Sequence, residues 1–254
     1  MTTNLDNLLK APLAARLLEM ADDELILAHR DSEWTGHAPI LEEDIAFANI
    51  AQDELGHAIV WYEIRRSLTG EDPDDLVFRR EPAGFRNIQM VELPKRDWAF
   101  SMLRQWLFDV WESVHLEALE QSRFTPVSAA AKKIRKEEMY HLRHTSAWIR
   151  RLGLGTEESH RRMQAALDEL WPYHVQIFQL PADYLQLVQA SVMPDLGQGA
   201  ARWAGRAQEE LTRANLQPPS CAPVFSTRKQ HGPHFPALIE ELQQVARLEA
   251  EARW

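Results

Sequence analysis

Through the first two-thirds of the chain, apolar residues recur at steps of three and four, the spacing that puts them on one face of an α-helix. Breakers cut this pattern into four long segments. A first helix is expected over about 13–29, stopping before Trp34-Thr35-Gly36-His37-Ala38-Pro39. A second covers about 41–68 and ends at Thr69-Gly70, with Asp72-Pro73 beyond. Residues 74–94, which include Pro82 and Gly84, show no clear helical period and read as a long connection crossing the bundle. A third helix is expected over about 96–121. The fourth starts at Thr125-Pro126, where proline suits a first turn, and runs to about 152. Further helices are expected over about 157–178, 182–192, 197–215 and 235–251, with irregular polar stretches at Gln217-Pro218-Pro219-Ser220 and 226–233. No convincing period-2 strand and no solenoid-spaced repeat is visible. The expectation is an all-α, single-domain chain over 1–254, with a core bundle over about 12–152 and a helical C-terminal extension over about 157–254.

Within those stripes stand residues that an apolar seam does not tolerate alone. In the second helix Phe47, Ile50, Glu54, His57 and Trp61 share the buried face. In the fourth, Val127, Ala131, Ile134, Glu138, His141, Thr145 and Trp148 do the same. Each stripe thus carries a Glu-x-x-His pair, whose members lie on one side of a helix. The first helix adds Glu24 to Leu13, Leu17, Met20 and Leu27, and the third adds Asp109 to Met102, Trp106, Ser113 and Leu116. A charge on a core stripe costs several kcal/mol unless it is paired or bound to metal.

One carboxylate from each of two helices and Glu-x-x-His from two others is the ligand set of ferritin-like dinuclear carboxylate proteins. A ferritin-like four-helix bundle with additional C-terminal helices is therefore expected, holding two iron ions, or manganese, which shares these hard donors. Glu54 and Glu138 are placed as bridges, Glu24 and His57 on one ion, and Asp109 and His141 on the other. Asp53 and Glu137, each just before a bridging residue, are expected to accept the ring N–H of the histidine on the opposite helix: Asp53 from His141, and Glu137 from His57. Glu112 and Glu117 rival Asp109 but are read as off the inner stripe. His29, His115, His144 and His160 are expected at solvated or rim positions. His174, His231 and His234 have no ligand-spaced acidic partner, and Tyr140 is expected to be packed.

Composition narrows the class further. Hydrophobic residues make up 45% and charged residues 26%, with only 10 glycines, which suits a helix-rich globular chain. A net charge of −10 argues against a nucleic-acid partner, because phosphate binding needs a basic face. No apolar run approaches the roughly 18 residues of a membrane span. Met1-Thr2-Thr3-Asn4-Leu5-Asp6 lacks the features of a signal peptide, and Cys221 is the single cysteine. A cytoplasmic protein without membrane attachment, disulfide or iron–sulfur cluster is expected. The 9 tryptophans point to wide apolar interfaces, within the chain or with partner subunits.

Glu33-Trp34-Thr35-Gly36-His37-Ala38-Pro39, followed by Asp44-Ile45-Ala46-Phe47-Ala48-Asn49-Ile50, resembles the PaaC family, the smaller ferritin-like subunits of multicomponent phenylacetyl-CoA epoxidases. The resemblance continues through Arg104-Gln105-Trp106-Leu107-Phe108-Asp109, Lys136-Glu137-Glu138-Met139-Tyr140-His141-Leu142-Arg143, Trp148-Ile149-Arg150-Arg151-Leu152-Gly153 and the closing Leu238-Ile239-Glu240-Glu241-Leu242. It implies a complex with a larger catalytic subunit, PaaA, and other components including a reductase, and a homodimer when isolated. It also implies dioxygen chemistry at di-iron, forming a ring 1,2-epoxide on phenylacetyl-CoA. In that family catalysis is assigned to PaaA, and PaaC members can lack metal ligands. Here all six ligand positions are filled, by Glu24, Glu54, His57, Asp109, Glu138 and His141. Two readings stay open beside a working oxygenase component: a scaffold subunit whose metal is structural or vestigial, and iron storage, which the extra C-terminal third disfavours.

Overall fold

The stripes condense into four long helices in the computed structural model, which describes residues 5–181 and 183–249. These are α1 (Asn7–Ser32), α2 (Leu41–Thr69), α4 (Trp98–Leu119) and α5 (Thr125–Gly153), with a short α3 (Gln89–Glu92) before α4. The C-terminal part adds α6 (Glu157–Leu170), α7 (Tyr184–Gln189), α8 (Leu196–Arg213) and α9 (Phe235–Leu248). No strand occurs among the described residues. The chain is an all-α, ferritin-like bundle. The expected start at 182 and the expected last residues 250 and 251 of two helices lie outside the described residues.

Local chemistry sets the ends. Asp97 caps α4 by accepting from the Phe100 N–H at 3.0 Å, and Thr156 forms a capping box with Ser159 at the start of α6. Gly70, at φ 78°, closes α2 in the left-handed conformation. The turn between α1 and α2 is tied down twice. Asp44 Oδ1 accepts from the Gly36 N–H at 2.6 Å, and the Trp34 indole donates to Ser101 Oγ at 2.8 Å. That explains why this stretch carries so many specific residues.

α1 packs along α2 and α4 along α5, and the two pairs meet with α2 against α5. α6 and α8 cover the far side of α4. As a result residues 99–116 of α4 are buried on every face. The Trp203 indole of α8 donates to the Leu107 carbonyl at 3.1 Å, fixing one of these contacts. The connection over 74–94 differs from the expectation of an irregular crossing. It holds a π-helical turn (Asp75–Arg79), a 3-10 turn (Pro82–Gly84) and α3, each too short to show a period. Buried acids on α1 anchor it: Asp22 accepts from Arg80 and the Arg86 N–H, and Asp23 accepts from the Ile88 N–H and Arg228.

Candidate metal centre

Four helices bring their odd polar residues to one place. Glu24 on α1, Glu54 and His57 on α2, Asp109 on α4, and Glu138 and His141 on α5 are all at most 2% exposed. Their donor atoms form two overlapping groups, each within 4.8 Å: Glu24, Glu54, His57 and Glu112, and Glu54, Asp109, Glu138 and His141. The apolar members of the same stripes, Phe47, Ile50, Trp61, Ile134 and Leu27 among them, close the space around them.

The imidazoles are oriented from outside. His57 Nε2 donates to Glu137 Oε2 at 2.9 Å, and His141 Nε2 donates to Asp53 Oδ2 at 3.1 Å. Both pairs cross between α2 and α5, on the diagonals read from the register. They turn each Nδ1 inward, where His57 Nδ1 lies 3.3 Å from Glu138 Oε1 and His141 Nδ1 lies 2.8 Å from the same oxygen. Glu137 and Asp53 are themselves 41% and 44% exposed, so the site touches solvent through these two carboxylates. Further in, Gln105 Nε2 donates to Glu54 Oε1 at 2.5 Å and to Asp109 Oδ1 at 2.8 Å, while the Thr145 hydroxyl donates to Asp109 Oδ2 at 2.6 Å.

Packing so many acids together moves their titration. Burial, then the neighbouring Glu112 and Glu54 carboxylates, raises Glu24 well above the usual carboxylate range. Burial and Glu138 do the same to Asp109, and burial with Glu138 and Glu54 to Glu112. Burial also works against ionised Glu54, but its contacts with Glu24, His141 and His57 outweigh it and hold Glu54 well below that range. Burial by itself lowers His57, yet Glu138 and Glu54 overcome it and push the ring up to about 11. His141 is raised too, against its burial, by Glu138 and Asp53. Glu24, Asp109 and Glu112 are thereby biased toward their protonated forms, and divalent cations binding there would displace those protons.

A test of fit lies in the atoms left over. Glu24 Oε2, Glu54 Oε2, His57 Nδ1, Glu112 Oε2 and Glu138 Oε2 are buried and have no hydrogen-bond partner. Orphans of this kind are rare in folded proteins and mark the place of an ion, a water or a functional group. Carboxylate oxygens and one imidazole nitrogen per group suit iron(II) or manganese(II). The residues fit a dinuclear centre.

Several residues stand elsewhere than the sequence suggests. Glu112, read as off the stripe, is 4% exposed and sits in the first group, because α4 has no wet face to receive it. Glu117, its rival, does point outward, where it pairs with Arg202 and Arg206. His115, expected at the rim, is 2% exposed and stacked on Trp111 at 4.6 Å; burial, then Arg16 and Arg228, holds it well below its usual range. Gln105 is a part of the site that the stripe reasoning misses; its signal is a lone amide one turn before Asp109 in an apolar run. Tyr140, expected to be packed, is 61% exposed because it follows Met139 onto the outer side of α5. His231 does have an acidic partner: its Nδ1 lies 2.5 Å from Glu92, which loop folding brings near from far along the chain.

Comparison with known proteins agrees with this arrangement. Residues 2–254 match the family model described as phenylacetic acid catabolic protein. The chain is 33% identical to the C subunit of the 1,2-phenylacetyl-CoA epoxidase of Escherichia coli (strain K12), over 95% of this chain and 99% of that protein. It is 25% identical to the A subunit of the epoxidase from the same organism, over 63% of this chain and 51% of that one.

Proposed function

The chain belongs to the phenylacetic acid catabolic protein family, and from that premise we propose that it is a subunit of a di-iron multicomponent monooxygenase that epoxidises the ring of phenylacetyl-CoA. Its partners are a larger subunit of the PaaA kind and other components including a reductase, it self-associates as a homodimer when isolated, and the complex is cytoplasmic. The similarity to both the C and the A subunits of one epoxidase supports the pairing. No helix among the described residues is long and apolar enough to cross a membrane.

The observation that carries the metal reading is the set of orphaned, inward-facing donors on four helices. Glu24 and His57 would hold one ion and Asp109 and His141 the other, with Glu54 and Glu138 supplying further carboxylate donors. When bound, such a pair supplies reductive activation of dioxygen. The chain's own residues do the rest. Glu137 and Asp53 keep the Nε2 protons in place, so that the Nδ1 lone pairs face the site. Thr145 fixes Asp109. The apolar stripes keep bulk water away.

A second reading is a scaffold subunit with a structural or vestigial centre. It is favoured by Gln105, whose amide donates to Glu54 Oε1 and Asp109 Oδ1 without any ion. Metal analysis after anaerobic iron(II) loading, beside Glu54→Ala/His57→Ala, tests the centre: about two irons per chain, lost in the variant, is expected. Activity of the reconstituted complex with Glu54→Ala/Glu138→Ala in this chain then decides between the readings. Loss of turnover supports an active centre, and unchanged turnover leaves the scaffold.

A further inference from the structure

The two halves of the centre are not equally ready for an ion. Among the five orphaned atoms, one belongs to each member of the group Glu24, Glu54, His57 and Glu112, and the fifth is Glu138 Oε2. In the other half Glu54 and Glu138 each keep one free oxygen, but Asp109 and His141 are already engaged. Asp109 accepts at both oxygens, from Gln105 and Thr145, and Glu54 Oε1 accepts from Gln105. His141 Nδ1 is bonded to Glu138 Oε1 at 2.8 Å. Glu112 lies one turn beyond Asp109 on α4, and the pair divides between the halves: Asp109 groups with His141, Glu112 with Glu24 and His57.

Resting on the metal reading above, we propose that the centre loads in order: the first ion enters the group Glu24, Glu54, His57 and Glu112, with Glu112 as a protein ligand, and Gln105 guards the second position. An ion in the first group meets three carboxylates and an imidazole that each keep one atom without a hydrogen-bond partner, so only protons have to leave. An ion in the second must draw Asp109 away from the Gln105 amide or the Thr145 hydroxyl and separate His141 from Glu138. Each hydrogen bond to a charged group is worth about tenfold or more in an equilibrium. Gln105 is fully buried and cannot be replaced there by water without moving, but its Oε1 has no donor, so the amide gives up nothing on that side when it turns. Glu112 is thereby assigned as a seventh ligand beyond the six read from the sequence, and Gln105 as a positioning residue that sets occupancy.

Manganese(II) titration of the full chain, followed by calorimetry and by EPR, tests this. The first equivalent binds as an isolated ion with an uncoupled signal. The second binds at least about tenfold more weakly and converts the signal to that of a coupled pair. Glu112→Gln, which keeps shape and removes charge, weakens the first step by about tenfold or more. Gln105→Leu tightens the second step and narrows the gap, and it decides the matter should the Glu112 variant fold poorly. Binding of both ions in one step by the unaltered chain overturns the ordered scheme, as does an intact first step in Glu112→Gln, and in either case the dinuclear reading stands. If the unaltered chain binds neither manganese nor iron, the metal reading itself falls, and the ordered scheme with it.

Discussion

Glu137→Ala and Asp53→Ala probe the oldest demand a metal site makes on a histidine, that one nitrogen be held so the other can bind. Glu137 and Asp53 each hydrogen-bond the outer Nε2 of a histidine, at 2.9 Å and 3.1 Å. Removing such a partner elsewhere costs about 10- to 100-fold in metal affinity. The exposure of these two carboxylates, 41% and 44%, puts them at the lower end, because water competes for the ring N–H and screens the charge. We expect about tenfold for each single variant. The two act on different histidines, but both rings converge on Glu138 Oε1, so the double variant should depart from the product of the single effects. Glu137→Gln keeps an acceptor without its charge and should fall between the parent and Glu137→Ala. Competition of the full chain with a chelator of known cobalt(II) affinity measures each value, and the cobalt d–d spectrum reports whether the remaining ligand geometry is unchanged. Single variants that bind as tightly as the parent would refute the argument, since Nε2 would then need no fixed partner to aim Nδ1.

Two further outcomes follow from the same structure. The metal-free fold holds a proton on His57 up to about pH 11, whereas the unfolded ring releases it near about 6.5, so stability falls as pH rises through that window, by about 1.4 kcal/mol per pH unit for one proton. The raised Glu24, Asp109 and Glu112 act with the same sign; urea midpoints of chelated protein should be lower at pH 9 than at pH 7, and a higher midpoint at pH 9 contradicts the protonated cluster. Gly153→Ala should destabilise the docking of α8 on the end of α5, because the new Cβ would lie 2.3 Å from the Ala214 carbonyl oxygen and 3.2 Å from its Cβ. Overpacking of about 1–3 kcal/mol outweighs the roughly 1 kcal/mol gained in helix propensity, and a melting temperature equal to or above the parent's argues that α8 is free to shift.

Two of the long helices, α2 and α5, were legible because each keeps one wet face. α2 and α5 alternate between core and solvent, and their periodicity marks both the helix and its inward side, whereas α1 is buried throughout 19–28. Proline and glycine at Pro126 and Gly70 then fix the ends. The connection over 74–94 was not legible, since turns of three to five residues cannot display a period of 3.6. Its position instead depends on Asp22 and Asp23, whose partners lie 40 to 205 residues away in the chain.

The clustering of Glu54, His57, Glu138 and His141 was legible from their stripes, and the burial of Glu112 beside Glu24 and His57 was not. On α2 and α5 a Glu-x-x-His pair interrupts an apolar seam, and the cost of leaving it there uncompensated makes it conspicuous. On α4 that logic has no purchase. Choosing Asp109 over Glu112 by stripe assumes that one of the two faces water, yet α6 and α8 cover the back of this helix and every residue from 99 to 116 is buried. Periodicity on such a helix says only that it is central. The usable signal was density: Arg104, Gln105, Asp109, Glu112 and His115 stand in an otherwise almost wholly apolar run, and each must find compensation inside the protein. Arg104 finds Asp31, at 2.9 Å with both side chains fully buried. Gln105 and Asp109 find one another. Glu112 Oε2 and both ring nitrogens of His115 find no partner among the described residues. For His115 a neutral ring stacked on Trp111 limits the cost. For Glu112, grouped with Glu24 and His57, the remaining compensation is a shared proton or a cation.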